Sequence, residues 1–377
     1  GSGRNHCYGN TTPWWKEEED GPNRYVGWSS TTLISMLGII MAGGQGSRLR
    51  PITDVRPKPM VEVLGRPVID FVKDSMVQGG VDNLIVTTGY RGDMLAAHVE
   101  HWNVDGCIAR INQEATPMGT AGSVRLLLDE ITETVIIGSG DSVASFDVAA
   151  LLEAHKRSGA KATMALWEVE DPSPFGIVGL STTNEGDVDG TLREGYIRRF
   201  KEKPTPEEAF SNVINAGLYI LEPDVMALVP EGEKYDFSKD LFPRLLEMGW
   251  PMYAQAINGV WFDVGSPSEL IRAQNVLIER KDELTFPTPE GARIEHGSFI
   301  DPTAHVHEDA TVVNSVIAQH AVVGANTVLK HCVLMNGSKV EDGVHLEYGI
   351  LSPGAIVSSN VSTSNVILGD NERLENV

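Results

Sequence analysis

Residues 41–60 read MAGGQGSRLRPITDVRPKPM. Three glycines, Gly43, Gly44 and Gly46, fall within four positions directly after an apolar run. Fixed positive charge follows at Arg48 and Lys58. Glycines without side chains let backbone N–H groups come close to an anion, and a guanidinium and an ammonium then balance its charge. A tight turn needing positive φ would use glycine as well. The pattern is neither the dinucleotide fingerprint GxGxxG, whose third glycine is missing, nor a P-loop, since no GK[ST] follows. A second ligand-facing position is Gly140-Asp141, which ends the apolar run VIIGSG.

These residues need a scaffold. LGIIMAG reads as a short buried strand, PVIDFVKDSMVQGG as a helix with Pro67 in its first turn, and NLIVTTGY as the next strand. DMLAAHVEHW is a helix, TAGSVRLLLDEI a helix, TVIIGSGD a strand, FDVAALLEAHKRSGA a helix and KATMALWEV a strand. This alternation predicts an α/β, Rossmann-like domain with a mostly parallel sheet covered on both faces. Ligands on such sheets bind beyond the strand C-termini, where Gly43–Gly46 and Gly140–Asp141 lie.

After about residue 285 the texture changes. Short apolar residues recur about every six: Ile300, Val306, Val312, Ile317, Val323. Small residues fall between them, and VGANTV (323–328) is the cleanest unit. Hexapeptide periodicity indicates stacked short strands in a solenoid, although an ordinary antiparallel sheet could carry coincidental spacing. The expected layout is therefore 1–35 as tag, leader or disordered tail, 36–285 as the α/β domain and 286–377 as the solenoid. A native N-terminal arm is the alternative for 1–35, with Met36 as a plausible start otherwise.

The 377 residues carry a formal charge of −22, which argues against a generic nucleic-acid or anionic-membrane surface. A chain this acidic must bind phosphates locally, with a few placed cations and a metal. No apolar run is long enough for a membrane span. The three cysteines have no metal-ligand spacing and suit a reducing cytoplasm.

The stretch Gly43-Gly44-Gln45-Gly46-Ser47-Arg48-Leu49-Arg50-Pro51-Ile52-Thr53, then Pro57-Lys58-Pro59, resembles the signature of the sugar-nucleotide pyrophosphorylases, or sugar-1-phosphate nucleotidyltransferases. The resemblance continues in order through Glu114 before GTAG (119–122), Gly140-Asp141, Phe175-Gly176-Ile177-Val178, FKEKP (200–204), Asn215-Ala216-Gly217 and WFDVGSP (261–267). It covers residues 36 to about 275, and the solenoid resembles the left-handed β-helix that many members carry. One departure is Ser139, where larger or amide residues are common.

The resemblance implies transfer of a nucleoside monophosphate from an NTP to a sugar 1-phosphate, with release of pyrophosphate. It implies Arg48, Lys58 and Lys203 as catalytic. Ala42, Gly43, Gly44, Gly46, Glu114, Gly119 and Thr120 would bind nucleotide, and Gly176, Glu202 and Asn215 sugar. Asp141 and Asp263 would hold Mg²⁺. On spacing alone Lys203 is a solvated charge and Glu114 could be a surface acid; for Asp141 a helix cap and for Asp263 a salt bridge are the alternatives to the favoured role of metal ligand. Asp147 serves the cap better than Asp141, and a carboxylate in WFDVG needs a cation. The scattered histidines, several of them in the solenoid, match no motif.

Ionised Glu114 is acceptor-only and suits guanine's N1–H and N2–H donors. Members with Glu before GTAG are often mannose-1-phosphate guanylyltransferases. GTP and mannose 1-phosphate are the expected pair, with thymidylyl, uridylyl or adenylyl transfer to glucose 1-phosphate as alternatives. A non-catalytic regulatory subunit would typically lack the arginine, lysines or aspartates present here. The solenoid carries no distinct acetyl-CoA signature, and its flanks suggest a homo-oligomer.

Overall fold

The computed structural model describes residues 35–103, 107–284 and 288–376. The reading of 1–35 as tag, leader or tail thus falls, except for Ser35, outside the described residues.

A nine-stranded sheet forms the first part. Its order is Ile108–Gln113, Asn83–Thr88, Leu37–Met41, Val135–Ser139, Val213–Leu221, Ala162–Glu168, Met252–Ala256, Glu194–Glu202 and Gly176–Ser181. The first four strands are mutually parallel, as the alternation predicts for three of them; the edge strand Ile108–Gln113, with Ala109 as its single buried residue, is additional. Helices Ile69–Gln78, Gly92–Glu100 and Gly119–Arg125 make the crossovers. The other half departs from the expected mostly parallel sheet. Val213–Leu221 runs antiparallel to both neighbours, and Glu194–Glu202 is antiparallel to Met252–Ala256 and Gly176–Ser181. The physical reason is the connections: between Glu168 and Val213 the chain has no helix to carry a parallel crossover, so it doubles back.

Strand alternation sends Ile39 to one face and Ile40 to the other. Ile39, Ile85, Ile137 and Leu166 share one core, and Ile40, Leu84, Val86 and Ile136 another. A second correction concerns Pro67. It lies in a short strand, Arg66–Pro67, paired with Glu62–Val63, and the helix starts only at Ile69.

From Ser298 the chain winds into a parallel β-helix whose three sheets have six, five and four strands among the described residues, the six including an antiparallel first strand, Arg293–Glu295. Each coil advances 17 residues, so Ser298, Ser315 and Cys332 stack in one buried column through N–H···Oγ bonds of 3.0 Å. The inward positions step by six, six and five: Ile300, Val306, Val312, Ile317. That explains why a strict six-residue period fits only approximately. The corners need left-handed backbone, and Asn, Gly or His supplies it at Asn326, Gly343 and Asn360 and at His320, Gly337 and Gly354.

A third core joins the two parts. Helix Pro267–Glu279 buries Leu270, Ile271 and Leu277 with Phe299, Val316, Val333 and Ile350 of the β-helix. Ser266 caps that helix by accepting from the Glu269 N–H, with Pro267 at its first position.

Candidate active site

The glycine loop leaves the sheet beyond Met41. Ala42 is buried and its N–H donates to the Thr87 carbonyl (2.8 Å), so it anchors the loop rather than facing solvent. Gly43 and Gly44 are exposed. Gly46 has φ 68°, and its carbonyl accepts from Thr53 Oγ1 at 2.6 Å. A Cβ there would lie 2.9 Å from Lys58 Cβ. Glycine at 46 therefore lets Lys58 pass beneath the loop. Leu49, fully buried, pins the turn Ser47–Leu49 and leaves Arg48 outward.

Lys58 follows Pro57 at the start of a tight turn, Lys58–Met60. Its side chain is only 7% exposed, and Nζ lies 3.2 Å from Asp141 Oδ2 and 2.8 Å from Asp263 Oδ1. Arg48 Nη2 sits 3.5 Å from Asp263 Oδ2. The aspartates converge because strand Trp261–Phe262 pairs with Val143–Ala144, just past Asp141. Gly140 N–H donates to the Met41 carbonyl (2.9 Å), which brings Asp141 to the loop's base. Val264, directly after Asp263, has φ 41°. For a β-branched residue this is strained backbone, which costs on the order of 1–3 kcal/mol and gathers at functional sites. The cation beside Asp263 is Lys58, and Asp141 shares it.

Glu114 lies on the other side of the loop. Its N–H donates to the Thr88 carbonyl (2.8 Å), and Oε2 accepts from Ser123 Oγ (2.5 Å). Oε1 is left toward Gly43 and Gly89, within 3.8 and 3.3 Å of where their Cβ atoms would be. Gly119 and Thr120 act as joints. Gly119 has φ 75°, and a Cβ would meet the Tyr235 carbonyl at 2.5 Å. Thr120 Oγ1 donates to Asp236 Oδ2 (2.9 Å) and accepts from the Phe237 N–H (2.9 Å).

A cavity of about 700 Å³ opens beyond the aspartates, walled by Asp141, Asp263, Glu202, Asn215, Ser238 and Lys239 among others. Gly176 pairs with Glu202 across two strands, and a Cβ on it would come within 2.7 Å of Glu202 Oε2. Asn215 is held rigidly: Nδ2 donates to the Tyr219 hydroxyl (2.7 Å) and to Ser238 Oγ (3.2 Å), and Oδ1 accepts from the Gly217 N–H (2.8 Å). Burial pushes the Tyr219 phenol up to about 12, so it stays neutral. Lys203 lies past the wall, exposed, with φ 42° and its N–H on the Phe175 carbonyl (2.9 Å). Its ammonium makes no ion pair among the described residues, unlike Lys201, which pairs with Glu208.

Two contributors escaped the sequence reading. Ser139 Oγ donates to Asp141 Oδ1 at 2.5 Å, so the residue that departs from the usual pattern orients the carboxylate. The stretch Asp236–Lys239 lines the cavity from a π-type turn, with Asp236 accepting from the Ser238 and Lys239 N–H groups (2.9 and 3.0 Å). An Asp heading Phe-Ser-Lys is a capping signal that could have marked it.

No group of three or more acidic, His or Cys side chains among the described residues is placed to hold a metal. Two carboxylates converging on one ammonium are nonetheless a donor set built for positive charge. They fit Mg²⁺, which commonly takes one or two protein carboxylates and fills the rest with water and phosphate oxygens. No helix among the described residues is long and apolar enough to cross a membrane.

The Nucleotidyl transferase family matches residues 37–280. Over 348 residues the chain is 30% identical to a mannose-1-phosphate guanyltransferase of Emericella nidulans, covering 89% of this chain and 91% of that one. It is 29% identical to mannose-1-phosphate guanyltransferase beta-A of Xenopus laevis, with 89% and 91% covered. It is 27% identical to a UTP–glucose-1-phosphate uridylyltransferase of Synechocystis sp., with 85% of each covered. A glycine loop over paired aspartates at the strand ends of an α/β sheet marks an enzyme of nucleotidyl transfer, and the chain belongs to the sugar-1-phosphate nucleotidyltransferase family.

Proposed function

We propose that the protein joins a sugar 1-phosphate to a nucleoside triphosphate and releases pyrophosphate, with mannose 1-phosphate and GTP as the pair. The observation that carries the reaction is Lys58 Nζ shared by Asp141 and Asp263 at the mouth of the cavity. Backbone N–H groups of 43–46 hold the β- and γ-phosphates. Arg48 and Lys58 neutralise the departing pyrophosphate. Asp141 and Asp263 hold Mg²⁺, which supplies charge stabilisation at the α-phosphate. Lys203, directly after the cavity-lining Glu202, binds the sugar phosphate, and Gly176, Glu202 and Asn215 border the sugar. That phosphate is already an anion, so its oxygen attacks the α-phosphorus in line without a strong general base. The residues contribute positioning and charge.

The guanine reading rests on Glu114 Oε1, a bare acceptor facing the loop, and on the names of the fungal and frog relatives. The cyanobacterial relative favours a second pair, UTP and glucose 1-phosphate. We further take the β-helix as left-handed, the protein as a homo-oligomer and its compartment as the cytoplasm. The test is pyrophosphate release with Mg²⁺, offering GTP, dTTP, UTP, ATP and CTP each against mannose and glucose 1-phosphate. A GTP–mannose winner is the expected result. A UTP or dTTP winner keeps the reaction and overturns the role given to Glu114. Absence of release from every pair overturns catalysis in favour of a regulatory subunit.

A further inference from the structure

The signature loop is tied to the far end of the chain. Arg56, two residues before Lys58, is buried. Its Nη1 donates to the Ile52 carbonyl (2.8 Å), inside its own loop, and to Asp370 Oδ1 (2.9 Å) in the last coil of the β-helix. Its Nη2 donates to Asp370 Oδ2, completing a fork 314 residues apart in sequence. Beside it, Gly369 packs so closely on Pro51 that a Cβ would lie 3.2 Å from Pro51 Cβ. The turn presenting Asp370 is itself braced, with Gly369 N–H donating to Glu372 Oε2 (2.8 Å). Two-pronged guanidinium–carboxylate pairs fix orientation as well as distance. Between Arg56 and Lys58 stands only Pro57, whose locked φ limits the backbone freedom between them.

We propose that Asp370 is a positioning residue for the active site. It acts through Arg56 to hold the turn that aims Lys58 between Asp141 and Asp263, so the final coil of the β-helix completes the catalytic geometry. Without the Asp370 charge, the guanidinium keeps an acidic neighbour, the half-buried Glu62, whose Oε2 has no hydrogen-bond partner among the described residues. Arg56 then turns toward Glu62 and the loop re-seats while the fold stands.

The kinetic half of the test rests on the pyrophosphate-releasing reaction proposed above; the exchange half does not. In the full-length chain, Asp370→Asn is expected to lower kcat about 10–100-fold, the scale of a misplaced catalytic group. KM should change less, and Asp370→Glu should recover part of the loss. Hydrogen exchange should quicken at the Met60 and Val61 amides, which close the Lys58 turn. Exchange in the central strand Leu37–Met41 should stay unchanged. Wild-type kcat and wild-type exchange at those two amides would overturn the proposal. Uniformly faster exchange across the sheet would overturn it too, as a purely structural pair. If Asp370→Asn does not fold, Arg56→Lys carries the same readouts, since it keeps the charge and loses the fork. A wild-type chain that releases no pyrophosphate sinks the reaction, and the exchange comparison still decides the positioning.

Discussion

The α/β part and the β-helix use the same unusual backbone for different ends. In the β-helix, left-handed residues recur at 17-residue intervals, as at Asn326, Gly343 and Asn360, and each one turns a corner. Around the glycine loop they do not recur. Gly46 makes room for Lys58, Val264 follows Asp263, and Lys203 follows the strand Glu194–Glu202. Repetition marks architecture, because every coil solves the same steric problem. Isolated strain points to sites to examine, since it gathers at functional positions, and Leu64 and Arg91 adopt it in this part too. The two regions meet chemically where Arg56 grips Asp370.

The largest effect should come from the charges beneath the loop. Lys58→Ala, Asp141→Asn and Lys203→Ala are each expected to lower turnover by about 10²–10³, the usual cost of removing one transition-state charge partner. Steady-state pyrophosphate release measures this, and near-normal turnover in all three would end the assignment. The opposite signature belongs to the β-helix. Leu346→Ala, at an inward position, should cost about 2–5 kcal/mol of stability in denaturant melts. Its kcat should match wild type wherever the variant is folded. A kcat loss comparable to that of Lys58→Ala would erase the distinction drawn between the regions.

The smallest and sharpest comparison sets two glycines side by side. Gly46 and Gly337 have nearly equal φ, 68° and 66°. A methyl at 337 meets nothing within 4 Å, whereas one at 46 meets Lys58 and Thr53. Gly337→Ala should therefore cost only the backbone penalty, about 1–2 kcal/mol, and leave turnover alone. Gly46→Ala should lose both stability and turnover, about tenfold or more in kcat if Lys58 is displaced. Equal kinetic behaviour of the two would show that Gly46 serves only its turn.

Much of this was legible along the chain. Apolar runs alternating with amphipathic stretches set three of the four parallel strands, since burial periodicity is local information; the edge strand Ile108–Gln113 went unread because only Ala109 in it is buried. Asp147 was recognisable as a helix cap, and the glycine loop with Arg48 and Lys58 as an anion-facing segment, from residue type and spacing. The six-residue texture exposed the solenoid. Its true 17-residue coil was blurred because one corner uses five residues instead of six.

What the chain alone did not reveal depended on distant segments meeting. The antiparallel pairings in the other half of the sheet, around the one parallel pair Ala162–Glu168 with Met252–Ala256, follow from connections too short and irregular to announce their direction. Pro67 read as a helix start because proline suits that position, yet pairing with Glu62–Val63 claimed it for a strand. Lys58 looked like one cation near a glycine loop. Only the ladder joining Val143 to Phe262 puts Asp141 and Asp263 on its two sides. Asp370 carries no local signal of its role, because a hydrogen bond to a partner 314 residues away leaves no periodicity. Sequence determined which elements form and which residues have the chemistry. The tertiary structure decided which charges share a site, because electrostatics acts through space and the chain brings those residues together only when folded.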